Sequence, residues 1–274
     1  MIYTFIAVLF VVPLLIYVLF RVAEFKLIYE PSRLDAGDPS SVGLSFEDAW
    51  METGNGRHTH GWWFEKKEAR GTIIHCHGNA DNITQRLWFA EQVNKLPVNV
   101  LMYDYQGYGK SEGRPGLQAT RHDGIAAYDF VMNKQREREE CLPIIVIGQS
   151  LGGATAIELA SEREVQGLII ESTFTSIKLM GRRFYPFLLP GVFTTITYDS
   201  LAKVPHLHMP KLFAHSRDDR KIPFDMGREL YEAAAEPKQW VELQGGHGEE
   251  SFKQTQGYFE LVEKFVMTVV NKPS

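Results

Sequence analysis

Cysteine is scarce in this chain. There are two, Cys76 and Cys141, and one possible pair cannot make the disulfide framework that holds small secreted domains together. Basic tracts are missing as well. Lys and Arg total 29 against 34 Asp and Glu, for a formal net charge of -5, so no run of cations is present to track a phosphate backbone, which argues against nucleic acid as a partner. Neither an internal repeat nor a low-complexity tract occurs, which sets aside solenoids and disordered linkers. What is left, 274 residues with 44% hydrophobic and 23% charged, is ordinary for one large packed domain.

Charge is also absent from the first twenty residues. Ile2 to Phe20 is an uncharged, apolar run interrupted only by Thr4 and Pro13, close to the ~20 residues a helix needs to cross a bilayer core. A buried core helix would show a polar face, and a signal peptide would show a basic start and a small-residue cleavage site. The run has none of these and is expected to be a single transmembrane anchor, residues 1–20. Arg21, Lys26 and Arg33 follow it, so the positive-inside bias puts the main domain on the cytoplasmic side. A juxtamembrane linker is expected over 21–41, ending in the polar stretch Asp35 to Ser41.

From residue 42 to 274 two kinds of element alternate. Asp48–Thr53 and Thr59–Phe64 flank Gly54-Asn55-Gly56 and predict an antiparallel hairpin. Short apolar runs at Thr72–Cys76, Val98–Tyr103, Ile144–Ile147, Leu168–Ile170 and Leu212–Ala214 suit strands buried on both faces. Ile83–Lys95, Arg121–Lys134, Leu151–Ser161, Asp225–Ala235 and Phe252–Val270 carry helical spacing between them. This alternation predicts an α/β domain with a mainly parallel sheet flanked by helices. One segment breaks it. Residues 172–209 hold Phe174, Phe184, Tyr185, Phe187, Leu188, Leu189, Phe193 and Tyr198 with Pro186, Pro190 and Gly191, and are expected to form a small cap over a site. The competing expectation is an irregular helix and loop on the sheet edge.

The chemistry concentrates at Gly148-Gln149-Ser150-Leu151-Gly152. A serine hydroxyl is a poor nucleophile unless a base lies within hydrogen-bond reach and its oxygen is exposed. Four β-branched residues lead into Gly148 and a helix-forming stretch starts at Leu151, so Ser150 falls on a sharp strand-to-helix turn that needs small neighbours at 148 and 152. An earlier strand ends in His75-Cys76-His77-Gly78-Asn79-Ala80. There the Asn79 amide could join that of Leu151 in an oxyanion hole, each donor supplying roughly 3 kcal/mol. The pairs His75/His77, His58/His60 and His206/His208 could instead suggest a metal, but His-x-His without a third ligand is a weak signal, and no metal site is expected. In this type of site the acid and then the histidine follow the serine in the chain. His247 lies in the Gly-rich loop Gln244 to Glu249 after the strand Trp240–Leu243, and the loop after Ala214 offers both Asp218 and Asp219. Spacing alone does not choose between them.

These motifs resemble the α/β-hydrolase superfamily, and within it the Bem46-like membrane-anchored serine hydrolases, from Phe25 onward. The likeness is carried by Tyr29-Glu30-Pro31-Ser32-Arg33, His77-Gly78-Asn79-Ala80, Asp104 to Gly113, Gly148 to Gly153 and Glu171-Ser172-Thr173-Phe174. That family places its acid four residues after the histidine of a His-Gly pair. The resemblance therefore implies Asp219, counted from His215, with Ser216 standing where glycine is usual. It implies a triad of Ser150, Asp219 and His247 acting without a cofactor on carboxylic esters or acyl thioesters, as a carboxylesterase, lipase or acyl-thioesterase does. Asp104 and the Gly107/Gly109 turn are expected to shape the floor of the site. The alternatives are a serine peptidase, whose additional domain 274 residues would not accommodate, and a non-catalytic binding protein on the same scaffold. The small-molecule or lipid-like acyl substrate itself depends on residues 172–209.

Overall fold

The computed structural model describes residues 2–188 and 194–272, with side chains outside that description at 2–10, 13 and 188. In chain order the strands are β1 Glu30–Pro31, β2 Glu47–Glu52, β3 His58–Phe64, β4 Thr72–Cys76, β5 Ala80–Asp81, β6 Asn99–Tyr103, β7 Ile144–Gln149, β8 Gly167–Glu171, β9 Lys211–Ser216 and β10 Lys238–Leu243. The helices are α1 Ile2–Ile28, α2 Leu87–Val93, α3 Leu117–Glu137, α4 Leu151–Glu162, α5 Ile177–Phe184, α6 Ser200–Lys203, α7 Phe224–Ala233, α8 Glu249–Gln254 and α9 Tyr258–Val270. Eight strands form one sheet in the order β10-β9-β8-β7-β4-β6-β3-β2. Only β3 runs against its neighbours, pairing antiparallel with β2 and with β6.

The sheet has a core on each face because its central strands carry apolar side chains toward both faces. In β7, Ile144 and Val146 join one cluster, with Ala156, Ile157 and Leu159 of α4 and Ala127 and Val131 of α3. Ile145 and Ile147 join the other, with Phe89, Ala90 and Val93 of α2 and Val262, Phe265 and Val266 of α9. Side chains alternate across a strand with period two, so a both-sided apolar run must be covered on both sides. Each such Ile or Val contributes roughly 1.5–3 kcal/mol of burial.

Two expected helices are divided. The one expected over Phe252–Val270 breaks into α8 and α9 at Gly257, where φ of +77° takes the left-handed turn that glycine permits. The one expected over Ile83–Lys95 starts as a 3-10 turn at Ile83–Gln85, capped by the Asn82 side chain, before α2.

The stretch 1–41 adds detail that its sequence does not show. The segment 21–41 carries regular elements of its own: α1 continues to Ile28, β1 pairs in parallel with β5, and a 3-10 turn follows at Pro39–Val42. The reason is burial. Ile28 and Tyr29 pack with Leu151, Phe174 and Ile196 in a third apolar cluster, which holds the end of α1 against the domain. Among the described residues no helix is long and apolar enough to cross a membrane. The described side chains of α1 start at Val11 and include Arg21, Glu24 and Lys26, and the first half of the expected span lies outside them. In the region expected to be a cap, α5, a 3-10 turn at Pro186–Leu188 and α6 are described. Leu189, Pro190, Gly191 and Phe193 lie outside the described residues.

Candidate active site

Ser150 stands between β7 and α4 with φ 55° and ψ -119°, a conformation costly for any residue with a side chain and tolerated only where the surroundings impose it. They do so through contacts on both sides. The Ser150 amide donates to Glu171 O at 2.8 Å, and the Thr173 hydroxyl donates to Ser150 O. The flanking glycines are there because the chain passes too close for side chains. A Cβ on Gly152 would lie 2.0 Å from Cys76 O, and one on Gly148 would lie 2.2 Å from Gly152 O. The hydroxyl therefore sits at the start of α4, where the helix dipole and unpaired amides favour negative charge.

His247 comes from the loop between β10 and α8, where Gly245 and Gly248 both take positive φ. Its Nδ1 lies 2.6 Å from Asp219 Oδ2. The sequence leaves two aspartates open at this point, and their surroundings separate them: Asp219 is buried and Asp218 exposed. Asp219 Oδ1 accepts from the amides of Lys221 and Ile222, each at 2.9 Å, and Oδ2 also lies 3.4 Å from His215 Nε2. Burial alone would raise the pKa of this carboxyl. The hydrogen bonds from His215 and His247 outweigh burial and hold it below the usual carboxylate range. Ser216, which replaces the usual glycine, has a compensating contact, since its hydroxyl donates to Gly245 O and ties the acid loop to the histidine loop.

Ser150, His247, Asn79 and Leu151 line one cavity of about 460 Å³, within the usual range for small-molecule sites. Its apolar wall includes Phe174, Ile177, Met180 and Phe184 from the segment 172–209, and Phe20, Leu27 and Ile28 from α1. The participation of α1 is not legible in its sequence, where Arg21, Glu24 and Lys26 read as the polar flank of an apolar run. Glu171 is the other unexpected neighbour. It is buried, its backbone carbonyl accepts from the Ser150 amide and its carboxylate from the Tyr258 hydroxyl, and its pKa is pushed up to about 8 by burial, with the Tyr258 bond acting the other way.

Three other histidines have structural surroundings. His75 stacks on Phe89, and burial pushes its pKa down. His77 packs on Tyr105, with Nε2 3.3 Å from Asp104 Oδ1. His60 Nε2 lies 2.6 Å from Asp48. Among the described residues no group of three or more His, Cys, Asp or Glu is arranged to hold a metal ion. Asp104 also accepts from the Ile83 amide at 2.9 Å, and a Cβ on Gly109 would meet its Oδ2. It anchors the Gly107/Gly109 turn to the start of the Ile83–Gln85 turn.

Comparison with known proteins agrees with this fold. A family model described as serine aminopeptidase, S33, matches residues 67–199. The α/β hydrolase domain-containing protein WAV2 of Arabidopsis thaliana is 32% identical over 233 residues, 77% of this chain and 75% of WAV2. The chain belongs to the α/β-hydrolase superfamily. The lysophosphatidylserine lipase ABHD12 of Macaca fascicularis is 29% identical over 208 residues, 68% of this chain and 51% of the lipase. Among solved structures, the Pyrococcus furiosus esterase Pf2001 superposes with a TM-score of 0.74 at 20% identity, covering 88% of this chain and 100% of the esterase. At that identity the likeness concerns the fold alone. This α/β-hydrolase is therefore a hydrolase with esterase-like and lipase relatives.

Proposed function

We propose that the protein is a membrane-anchored serine hydrolase that cleaves carboxylic esters or acyl thioesters. The observation that carries this reading is the 2.6 Å contact of His247 Nδ1 with a buried Asp219, on a loop whose imidazole lines the same cavity as Ser150. Asp219 holds His247 with Nδ1 protonated, leaving Nε2 to take the Ser150 proton as Oγ bonds to the acyl carbon. The tetrahedral oxyanion is held by the amides of Asn79 and Leu151. When it collapses, the bond to the alcohol or thiol breaks and the imidazolium proton passes to that leaving group. Water then attacks the acyl-enzyme, giving its proton to His247, and release of the acid restores the Ser150 hydroxyl.

The anchor belongs to the same reading. Apart from Pro13, residues 11–19 of α1 are all apolar and all exposed, Leu14 to 61% and Leu19 to 60%, and continuous apolar surface of that kind is what a bilayer covers. The basic residues that follow it favour a cytoplasmic domain.

The reading is tested with p-nitrophenyl esters of increasing chain length and with a fluorophosphonate probe. Wild type should turn over the esters and label at Ser150, and Ser150→Ala should lose roughly 10^6-fold in kcat. A Ser150→Ala variant as active as wild type sinks the assignment. Because the matching family model is described as a peptidase, aminoacyl arylamides belong in the same assay, and turnover of these in preference to esters would replace the ester reading.

A further inference from the structure

The end of α1 does more than connect. Glu24 is buried to 6% exposure, and its Oε1 accepts from the backbone amides of Thr195 at 3.2 Å and Ile196 at 3.5 Å. Arg21 pairs with the second carboxylate oxygen and also donates to the Thr195 hydroxyl. One turn further on, the Tyr29 hydroxyl meets that of Tyr198 at 2.9 Å, and Tyr198 in turn meets Thr120 at 2.6 Å. Both bonds reach the same stretch, 195–198, which closes the cap region against α1. A carboxylate removed from water stays stable only if its partners remain, so this contact fixes the spacing between α1 and the cap segment.

That spacing is one side of the cavity. Phe20, Leu27 and Ile28 face it from α1, Ile177, Met180 and Phe184 face it from the cap region, and Ser150 lies within it. Phe20 is also the last residue of the uncharged N-terminal run, so the cavity begins at the level where the apolar helix ends.

We propose that α1 is the outer wall of an acyl-chain site: a long-chain acyl ester lies between α1 and the cap, its chain against Phe20, Leu27 and Ile28, with Glu24 as the positioning residue that holds the cap onto the helix. This rests on the serine-hydrolase reading above and adds what that reading does not contain, namely that chain-length preference is set by the helix outside the catalytic domain. A chain in this position comes from the bilayer in which α1 is anchored and reaches Ser150 without crossing water.

The test uses the full chain in phosphatidylcholine vesicles and compares kcat/KM for p-nitrophenyl myristate with that for p-nitrophenyl butyrate. Leu27→Trp should lower the myristate-to-butyrate ratio about tenfold or more, since filling a hydrophobic pocket by a few carbons is worth about that much. Leu261→Trp, on the exposed face of α9, is the matched control and should leave the ratio as in wild type. Glu24→Ala should raise KM for the myristate ester several-fold with a smaller change in kcat, and Glu24→Gln, which keeps one acceptor for the two amides, should recover part of it. Should Leu27→Trp fail to fold, as judged by loss of fluorophosphonate labelling, Leu27→Ala serves in its place, and the widened cavity should move the ratio the other way. A ratio within about twofold of wild type in a labelled Leu27 variant overturns the proposal and leaves the hydrolase reading standing. Wild type that neither labels nor turns over either ester overturns both.

Discussion

The turn at Ser150 and the segment 172–209 face each other across one cavity, yet they are built on opposite principles. Around Ser150 nearly every atom is fixed by a neighbour: Gly152 has Cys76 O in the space its Cβ would need, the amide is held by Glu171 and the carbonyl by Thr173. Across the cavity, α5 has no fully buried residue, and Phe187 is 95% exposed. A chemical step needs groups held to within a fraction of an ångström, whereas a site for variable acyl chains needs apolar surface without unique geometry. On the proposed reading, the hydrolase chemistry belongs to the rigid side, and the acyl chain lies between the softer segment and α1.

The difference is broken most directly at the acid. Asp219→Asn leaves the size and hydrogen bonding of the loop nearly intact but allows the wrong tautomer of His247, so kcat should fall by roughly 10^4. The neighbouring Asp218→Asn, on an exposed side chain, should remain within about twofold. Equal losses in the two variants, measured on one p-nitrophenyl ester, would mean that the 2.6 Å contact with His247 is not used.

Next comes the turn itself. Gly152→Ala places a methyl group 2.0 Å from Cys76 O, where backbone on both sides leaves no room to relax. The expected cost is about 3 kcal/mol or more, read as a drop in the urea midpoint or as insoluble protein. A variant that is stable but inactive would show that the turn can shift, and would move rigidity from the fold to the chemistry alone.

The legibility of the two regions follows the same line. Strands such as Ile144–Ile147 announce themselves because both faces are apolar, and Gly148, Ser150 and Gly152 could be assigned since close approach admits so few residue types. The choice between Asp218 and Asp219 is invisible to spacing on this loop alone: what distinguishes them is burial and the contacts that Asp219 makes with His215 and His247, which come from the folded chain. Residues 172–209 carry aromatics with neither helical nor strand period, so nothing local specifies their path. The role of α1 is hidden for a different reason. Glu24 reads as a solvated flank because its partners, the amides of Thr195 and Ile196, are 171 and 172 residues away in the chain.

Glu171 sharpens the comparison from the strand next to the turn. Its folded pKa of about 8 lies above the ordinary carboxyl value of 4.5, so the folded state keeps a proton that the unfolded chain releases. The stability associated with the neutral carboxyl is fully present below about pH 4.5 and is lost as pH rises toward 8. Between about pH 5 and about pH 8.5, urea unfolding of wild type should lose a few kcal/mol that Glu171→Gln does not, because the amide has no proton to surrender. Parallel pH profiles for the two proteins would mean that water reaches this carboxyl and that its surroundings are not dry.

The smallest effect is expected on the soft side. Phe187→Ser removes a large apolar side chain, and in a core that would cost roughly 3–5 kcal/mol. At 95% exposure the ring gains little on folding, and the change should stay within about 0.5 kcal/mol, measured by urea unfolding of the full chain. A loss near the core value would show that Phe187 is covered in the folded protein, and that this segment shares the close packing of the turn it faces. A near-zero change, set beside the cost at Gly152, would put the two regions at opposite ends of the stability scale across a single cavity.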